Sequence, residues 1–188
     1  LFVAPLAACG STSDAPSGSS SAVTGDITVF AAASLKEAFP TIGEQFEAAN
    51  PGTSVTFSFG PSSGLATQII EMAPADVFAS ASQRTMDTVV DAGLAPGSAV
   101  FAVNSLAIAT PTDPSVPVAS LADLADPAVK VAVCAADVPC GTAADTLFSS
   151  NNLSVAPVTR EVDVKAVLSK VQLGEVDAGI VYVTDVKA

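Results

Sequence analysis

One unit constrains this chain more than any other: a short apolar strand, a small turn carrying a hydroxyl, then a helix. Its first instance is Asp26–Ile27–Thr28–Val29–Phe30–Ala31, followed by Ala32–Ala33–Ser34–Leu35–Lys36–Glu37. The first six residues are β-branched and apolar, as a buried strand requires. From Leu35 the period changes: Leu35, Ala38, Phe39, Ile42, Phe46 and Ala49 fall on one helical face. Ser34 stands at the junction with Glu37 three residues on, a capping box that makes Ser34 the expected N-cap. The same position has a second use, because a helix start offers unpaired N–H groups and the positive end of a dipole to an anion. The residues leave both readings open. Pro40 inside this helix predicts a kink.

The unit recurs along the chain. Val55–Thr56–Phe57–Ser58–Phe59 alternates as a strand, Gly60–Pro61–Ser62–Ser63–Gly64 turns, and Leu65, Ile69 and Ile70 begin a helix. Ser62 and Ser63 have the same choice as Ser34. Ala75–Asp76–Val77–Phe78–Ala79 is a third strand, and Ser80 and Ser82 read as turn and cap for a helix ending at Gly93. Ser105–Leu106–Ala107–Ile108–Ala109 is a further strand. Pro111 to Pro117 is a proline-rich connection suited to a passage between lobes. Ser120–Leu121–Ala122–Asp123 reads as another capping box. Val129–Lys130–Val131–Ala132–Val133 is a strand leading through Cys134 and Cys140 into a helix over Ala144, Leu147 and Phe148. Val158 suggests a strand, Val164 to Val171 a helix closed by Gly174, and Ala178–Val183 a last strand carrying the one tyrosine, Tyr182.

Strands alternating with helices predict an α/β fold with mostly parallel sheets. Ligands in such sheets sit beyond the carboxyl ends of the strands. Ser34, Ser62, the Cys140 turn and Tyr182 all fall there, and that convergence favours a binding site over four unrelated caps.

Composition narrows the partner. The 188 residues carry 7 basic and 19 acidic side chains, a formal net charge of −12. Nothing here could neutralise a phosphate backbone, so nucleic acid is excluded as a partner. An anion would have to be held by local dipoles and hydroxyls rather than by the overall field. The chain has no histidine, which removes histidine-based nucleophilic catalysis and the usual zinc sites. No acid–base pair stands out, and the reading is not an enzyme.

The first residues read LFVAPLAACG, the end of a secretory apolar segment. Leu6–Ala7–Ala8–Cys9 resembles a bacterial lipobox, in which Cys9 becomes the lipidated residue. Residues 10–25 then form a Ser/Gly-rich tether. Cys134 and Cys140 remain. If the chain is exported, two thiols six apart across a tight turn should form a disulfide; the other reading is a pair of free buried thiols.

Val29–Phe30–Ala31–Ala32–Ala33–Ser34–Leu35, Ser58–Phe59–Gly60–Pro61–Ser62–Ser63–Gly64–Leu65 and Ala73–Pro74–Ala75–Asp76–Val77–Phe78–Ala79–Ser80–Ala81 together resemble the molybdate-binding proteins of ABC importers. Val138–Pro139–Cys140–Gly141 and Gly179–Ile180–Val181–Tyr182 extend the match, which covers roughly Asp26 to Lys187. The resemblance implies a type II periplasmic-binding-protein fold, two α/β lobes closing on a tetrahedral oxyanion. It implies hydroxyl and N–H donors from Ser34 and Ser62, backbone N–H donors from Cys140 and Val164, and the hydroxyl of Tyr182. Any metal would be reached only through molybdate oxygens. The Cys134–Cys140 pair departs from the family pattern. Members also continue past the position of Tyr182 and return to the first lobe, so the chain reads as truncated at both ends.

The expected organisation is therefore a signal remnant over 1–9, a tether over 10–25, the N-terminal part of lobe 1 over 26–110 and mostly lobe 2 over 111–188. The expected function is extracytoplasmic capture of molybdate, and of tungstate, for an ABC permease. The expected protein is a monomer without a cofactor, lipid-anchored at the outer face of the cell membrane or periplasmic. A molybdate dianion wants a donor at every oxygen, and helix starts with hydroxyls supply them. Protonated phosphate would need an acceptor, for which no carboxylate stands out. Sulfate shares charge and shape, and the alternative is a binding protein of the same fold for sulfate or another small anion.

Overall fold

The computed structural model describes residues 23–187. The signal remnant, the Cys9 lipidation site and the tether up to residue 22 lie outside the described residues.

Two sheets organise the chain. The first is built from β1 (Gly25–Ala32), β2 (Thr53–Gly60) and β3 (Val77–Ala79) in the order β2-β1-β3, all parallel. Helices α1 (Phe39–Ala49), α2 (Ser62–Ile70) and α3 (Gln83–Asp91) connect and follow these strands. The second holds β4 (Leu106–Ala109), β5 (Val131–Cys134), β6 (Thr159–Glu161) and β7 (Ala178–Tyr182) in the order β4-β7-β5-β6. Its connections are α4 (Pro139–Ser150) and α5 (Val164–Gln172), and a short α6 (Val183–Lys187) follows β7. β5 pairs in parallel with β6 and β7, whereas β4 runs antiparallel to β7. Both sheets thus carry a β-α-β-α-β unit with its first strand in the middle, the arrangement of the type II fold.

Strand alternation decides what each face buries. On β5, Val131 and Val133 pack with Leu124, Ala144, Phe148 and Ile180 under α4, while Ala132 and Cys134 pack with Val164, Val167 and Val171 under α5. On β1, Phe30 joins Leu65, Ala66, Ile69 and Val89 beneath α2 and α3, and Val29 and Ala31 face Leu35, Phe39 and Phe57.

Four expectations need correction. First, the helix does not begin at Ser34. Ala33–Leu35 is a single 3₁₀ turn without a side-chain cap, and α1 starts at Phe39 with Pro40 in its first turn. Proline is tolerated there because a first-turn N–H has no intrahelical acceptor, so the helix yields its start to Pro40 rather than kinking around it. Second, the expected apolar face of α1 is only partly its buried face: Leu35 and Phe39 pack against Val29 and Ala31, but Ile42 and Phe46 are exposed. Ile42 is 55% exposed, and the helix meets the sheet at Gly43, where a Cβ would stand 2.8 Å from Cε2 of Phe57. Third, Ser120 does not cap a helix. Ala122–Ala125 is a 3₁₀ turn in which Asp123 Oδ2 accepts the N–H groups of Ala119 and Ser120. Fourth, β4 belongs to the second sheet, so the chain passes between sheets ahead of β4 and not at Pro111–Pro117. The boundary near 110 moves accordingly, because β4 takes its place from its antiparallel pairing with β7. Ser82 does cap α3, accepting the N–H of Thr85.

Candidate functional site

The carboxyl ends of β1, β2, β5 and β7 lead to one small cavity between the two sheets. Its wall is formed by Ala32, Ala33 and Ser34 at the end of β1, then Gly60, Pro61 and Ser62 at the end of β2. Ala81 follows β3, and Val138, Pro139 and Cys140 follow β5. Asp163, Val164 and Tyr182 complete it. All five residues expected to hold a ligand, Ser34, Ser62, Cys140, Val164 and Tyr182, therefore line the same space. The cavity is about 20 Å³, far below the few hundred Å³ of an organic-ligand pocket. It suits a compact ion.

Three helix starts converge on it. Ser62 is the first residue of α2, Cys140 the second of α4 and Val164 the first of α5. First-turn N–H groups have no intrahelical acceptor. The residues preceding α2 and α4, Pro61 and Val138, give no side-chain cap. Their free donors are thus left for whatever occupies the cavity. On α5 the cap is partial: Asp163 Oδ1 accepts the N–H of Ala166 at 2.9 Å, leaving the earlier N–H groups open.

Ser62 is 2% exposed, and its Oγ accepts the N–H of Ala81 at 3.0 Å. A hydroxyl that accepts from the protein keeps its proton to donate. Ser34 Oγ has no partner among the described residues, being released by the absence of the expected cap. The Tyr182 hydroxyl is pushed up to about 12, first by burial and then by the charge of Asp185, so it remains a donor across ordinary pH. Cys134 and Cys140 are joined in a disulfide with Cα atoms 5.6 Å apart. That bond ties the end of β5 to the first turn of α4. Gly141 allows the close fit, since a Cβ there would lie 1.8 Å from the carbonyl oxygen of Ala135.

Among the described residues, no lysine or arginine lines the cavity. The arrangement gathers neutral donors and helix dipoles, which can hold a fully deprotonated oxyanion without a full positive charge. The sequence reading missed Asp163. Among the described residues it is the one carboxylate in the wall, and its position as the residue before a helix was the available signal. It also missed the charged groups bridging the cleft beside the cavity. Lys165 Nζ stands 2.8 Å from Glu37 Oε2 and 2.7 Å from Asp185 Oδ1, and Arg84 Nη2 donates to Thr142 Oγ1 at 2.9 Å.

Known proteins give the chain its family. Residues 27–188 match the family described as bacterial extracellular solute-binding protein. The molybdate-binding protein ModA of Mycobacterium tuberculosis is 46% identical over 188 residues, covering 98% of this chain and 72% of that one. Among solved structures, the periplasmic molybdate-binding protein of Azotobacter vinelandii superposes with a TM-score of 0.70 at 22% identity, over 83% of this chain and 71% of that one. The sulfate-binding protein SubI of M. tuberculosis gives 0.65 at 17% identity, over 84% and 64%. The two structural likenesses show the fold alone, and they show it shared by proteins named for different oxyanions. Relatives of this kind are solute-binding proteins, not enzymes. The chain belongs to the bacterial extracellular solute-binding protein family and stands within it among the homologues of the molybdate-binding protein ModA.

Proposed function

We propose that this chain captures molybdate outside the cytoplasm and delivers it to an ABC permease. The observation that carries the reading is the convergence of Ser34, Ser62, Cys140, Val164 and Tyr182 on one compact cavity without a cationic side chain. Each supplies a neutral donor, by hydroxyl or by backbone N–H. Molybdate needs a donor at every oxygen and no acceptor. Tungstate has nearly the same size and charge and binds alongside it in this reading. Lipidation at Cys9 would hold the protein at the membrane beside its permease, and the protein acts as a monomer without a cofactor.

Sulfate is the second reading, favoured by the shared fold of a sulfate-binding protein. It has the same charge and shape, so only the size of the cavity can reject it. Protonated phosphate needs an acceptor. Asp163 is the carboxylate at hand; its Oδ1 is engaged by the N–H of Ala166 and its Oδ2 is the acceptor left, so phosphate is one of the anions the titration must exclude.

Calorimetric titration of the protein with molybdate, tungstate, sulfate and phosphate tests the assignment. Saturable one-to-one binding of the first two, with the others silent, is the expected result. Equal binding of sulfate removes the molybdate assignment and leaves the oxyanion site. No binding by any of the four removes the site.

A further inference from the structure

Beside the donor cavity, a chain of three charged side chains joins the two sides of the cleft. Glu37 lies between the 3₁₀ turn that carries Ser34 and the start of α1. Lys165 directly follows Val164 on α5. Asp185 lies on α6, three residues beyond Tyr182. The Lys165 ammonium contacts both carboxylates, at 2.8 Å and 2.7 Å. The other oxygen of Asp185 accepts the N–H of Tyr182 at 3.0 Å. A single ammonium is thereby linked to the segments presenting three ligand donors, one on the first-sheet side and two on the second.

The two arms differ in burial, and that determines their roles. The Asp185 side chain is wholly buried and that of Lys165 is 19% exposed, whereas Glu37 is 47% exposed. The Lys165–Asp185 arm stays within the second-sheet side and holds α5 to α6. The Glu37 arm crosses the cleft and is open to solvent. A cavity of about 250 Å³ adjoins it, lined by Lys36, Glu37, Lys165, Gln172 and Asp185 among others. Water and salt can therefore reach the crossing arm. Burial opposes the charge on Lys165, but its hydrogen bonds to the Asp185 and Glu37 carboxylates, with their charges, outweigh it and raise its pKa, so the ammonium is retained.

We propose that Glu37 and Lys165 form an ionic clasp, positioning the Ser34 turn against the start of α5 and slowing release of the bound oxyanion. The clasp touches no ligand, and its coupling to release rests on the proposed molybdate function. Breaking the crossing arm leaves every donor in place but lets the two sides part.

The test has a built-in contrast of sign. Removing a carboxylate beside an anion site should, by charge alone, favour the anion. The clasp predicts the reverse for Glu37→Gln: molybdate dissociation becomes about two- to fivefold faster, the scale of one solvent-exposed ion pair. Stopped-flow release measured across a salt series adds a second readout. Salt speeds release from the parent protein and has little effect on Glu37→Gln. Lys165→Met should release molybdate still faster, though it also leaves Asp185 buried and unpaired. Glu37→Gln, altered only at an exposed side chain, therefore decides the question. Unchanged or slower release from it overturns the clasp. Should the parent protein not bind molybdate, the functional reading falls separately. The clasp is then judged by small-angle scattering of ligand-free proteins, where a more expanded Glu37→Gln supports it and equal compactness overturns it.

Discussion

Ser62 Oγ accepts the backbone N–H of Ala81 at 3.0 Å, pinning the segment after β3 to the first residue of α2 at the cavity wall. The bond fixes which way the hydroxyl proton can point. Ser62 is thus both a structural acceptor and a ligand donor, whereas Ser34 has no side-chain partner among the described residues. The two serines look alike in sequence but carry different costs.

That difference separates their alanine variants. Ser34→Ala removes one donor to a charged ligand and should weaken molybdate binding on the order of 10- to 100-fold. Its folding stability should stay within about 0.5 kcal/mol of the parent. Ser62→Ala should lose similar affinity and also about 0.5–1.5 kcal/mol of stability, the net worth of the part-buried bond that ties the exposed Ala81 segment to α2. Titration calorimetry and urea denaturation on both variants check the pair. Equal stability losses would count against the Ser62–Ala81 bond.

The sequence revealed what local pattern encodes. Val131–Cys134 and Ala178–Tyr182 are apolar enough to be buried on both faces, and both form central strands. Ser34, Ser62, Cys140 and Tyr182 stood out as candidate donors because they fall at or near strand ends, whereas Val164 came only from the family resemblance. Ser34 was misread as a cap because the pattern around it weighs Ser-x-x-Glu but not the effect of Pro40, which sets where α1 can begin. Ile42 sits at a correct helical spacing and is still exposed, because the docking point at Gly43 was chosen by the Phe57 ring on β2. Glu37, Lys165 and Asp185 were illegible for another reason. They are ordinary charges far apart in the chain, and only folding brings them together.

Tyr182 carries a pH prediction. An ordinary phenol, with a value near 10, would surrender half its protons at pH 10. Burial and the neighbouring Asp185 push Tyr182 to about 12, so its hydroxyl still donates there. Molybdate affinity should therefore be flat from pH 7 to pH 10. Tyr182→Phe should weaken binding about tenfold or more by loss of one donor to a charged oxygen, with the same flat profile. Affinity that fell in the parent alone between pH 9 and pH 10 would show an ordinary phenol.

Gly141 is a steric prediction. Its missing Cβ is what lets the first turn of α4 lie against the Ala135 carbonyl, 1.8 Å from where that atom would be. The obstacle is backbone, held by the disulfide between Cys134 and Cys140, and cannot swing aside. Gly141→Ala should displace the Cys140 N–H from the cavity. It should cost about 1–3 kcal/mol of stability and lower molybdate affinity at least tenfold. Denaturation and calorimetry on this variant check both, and unchanged affinity would mean that the α4 start does not contribute a donor.

Asp177 gives an acid-stability prediction away from the cleft. Its carboxylate is buried, with Oδ2 accepting the N–H of Lys130 at 2.9 Å and Oδ1 that of Val116 at 3.1 Å. Burial alone would raise its pKa. Backbone N–H groups of Lys130, Val116 and Ser115, with the Lys130 charge, outweigh burial and leave it below the ordinary 3.8. A carboxylate lowered in the folded state stabilises the fold fully above the unfolded value, and loses that contribution as pH falls through the folded value. At pH 7, Asp177→Asn should cost about 2–3 kcal/mol, because the amide keeps one acceptor oxygen and turns donors toward a donor. The gap between parent and variant should narrow as pH drops below 3.8, where the parent's carboxylate takes up its proton. Denaturant midpoints at pH 7, 5, 3.5 and 2.5 measure it. A gap that stayed constant through that series would show that the Asp177 charge contributes nothing to holding the 116 and 130 segments together.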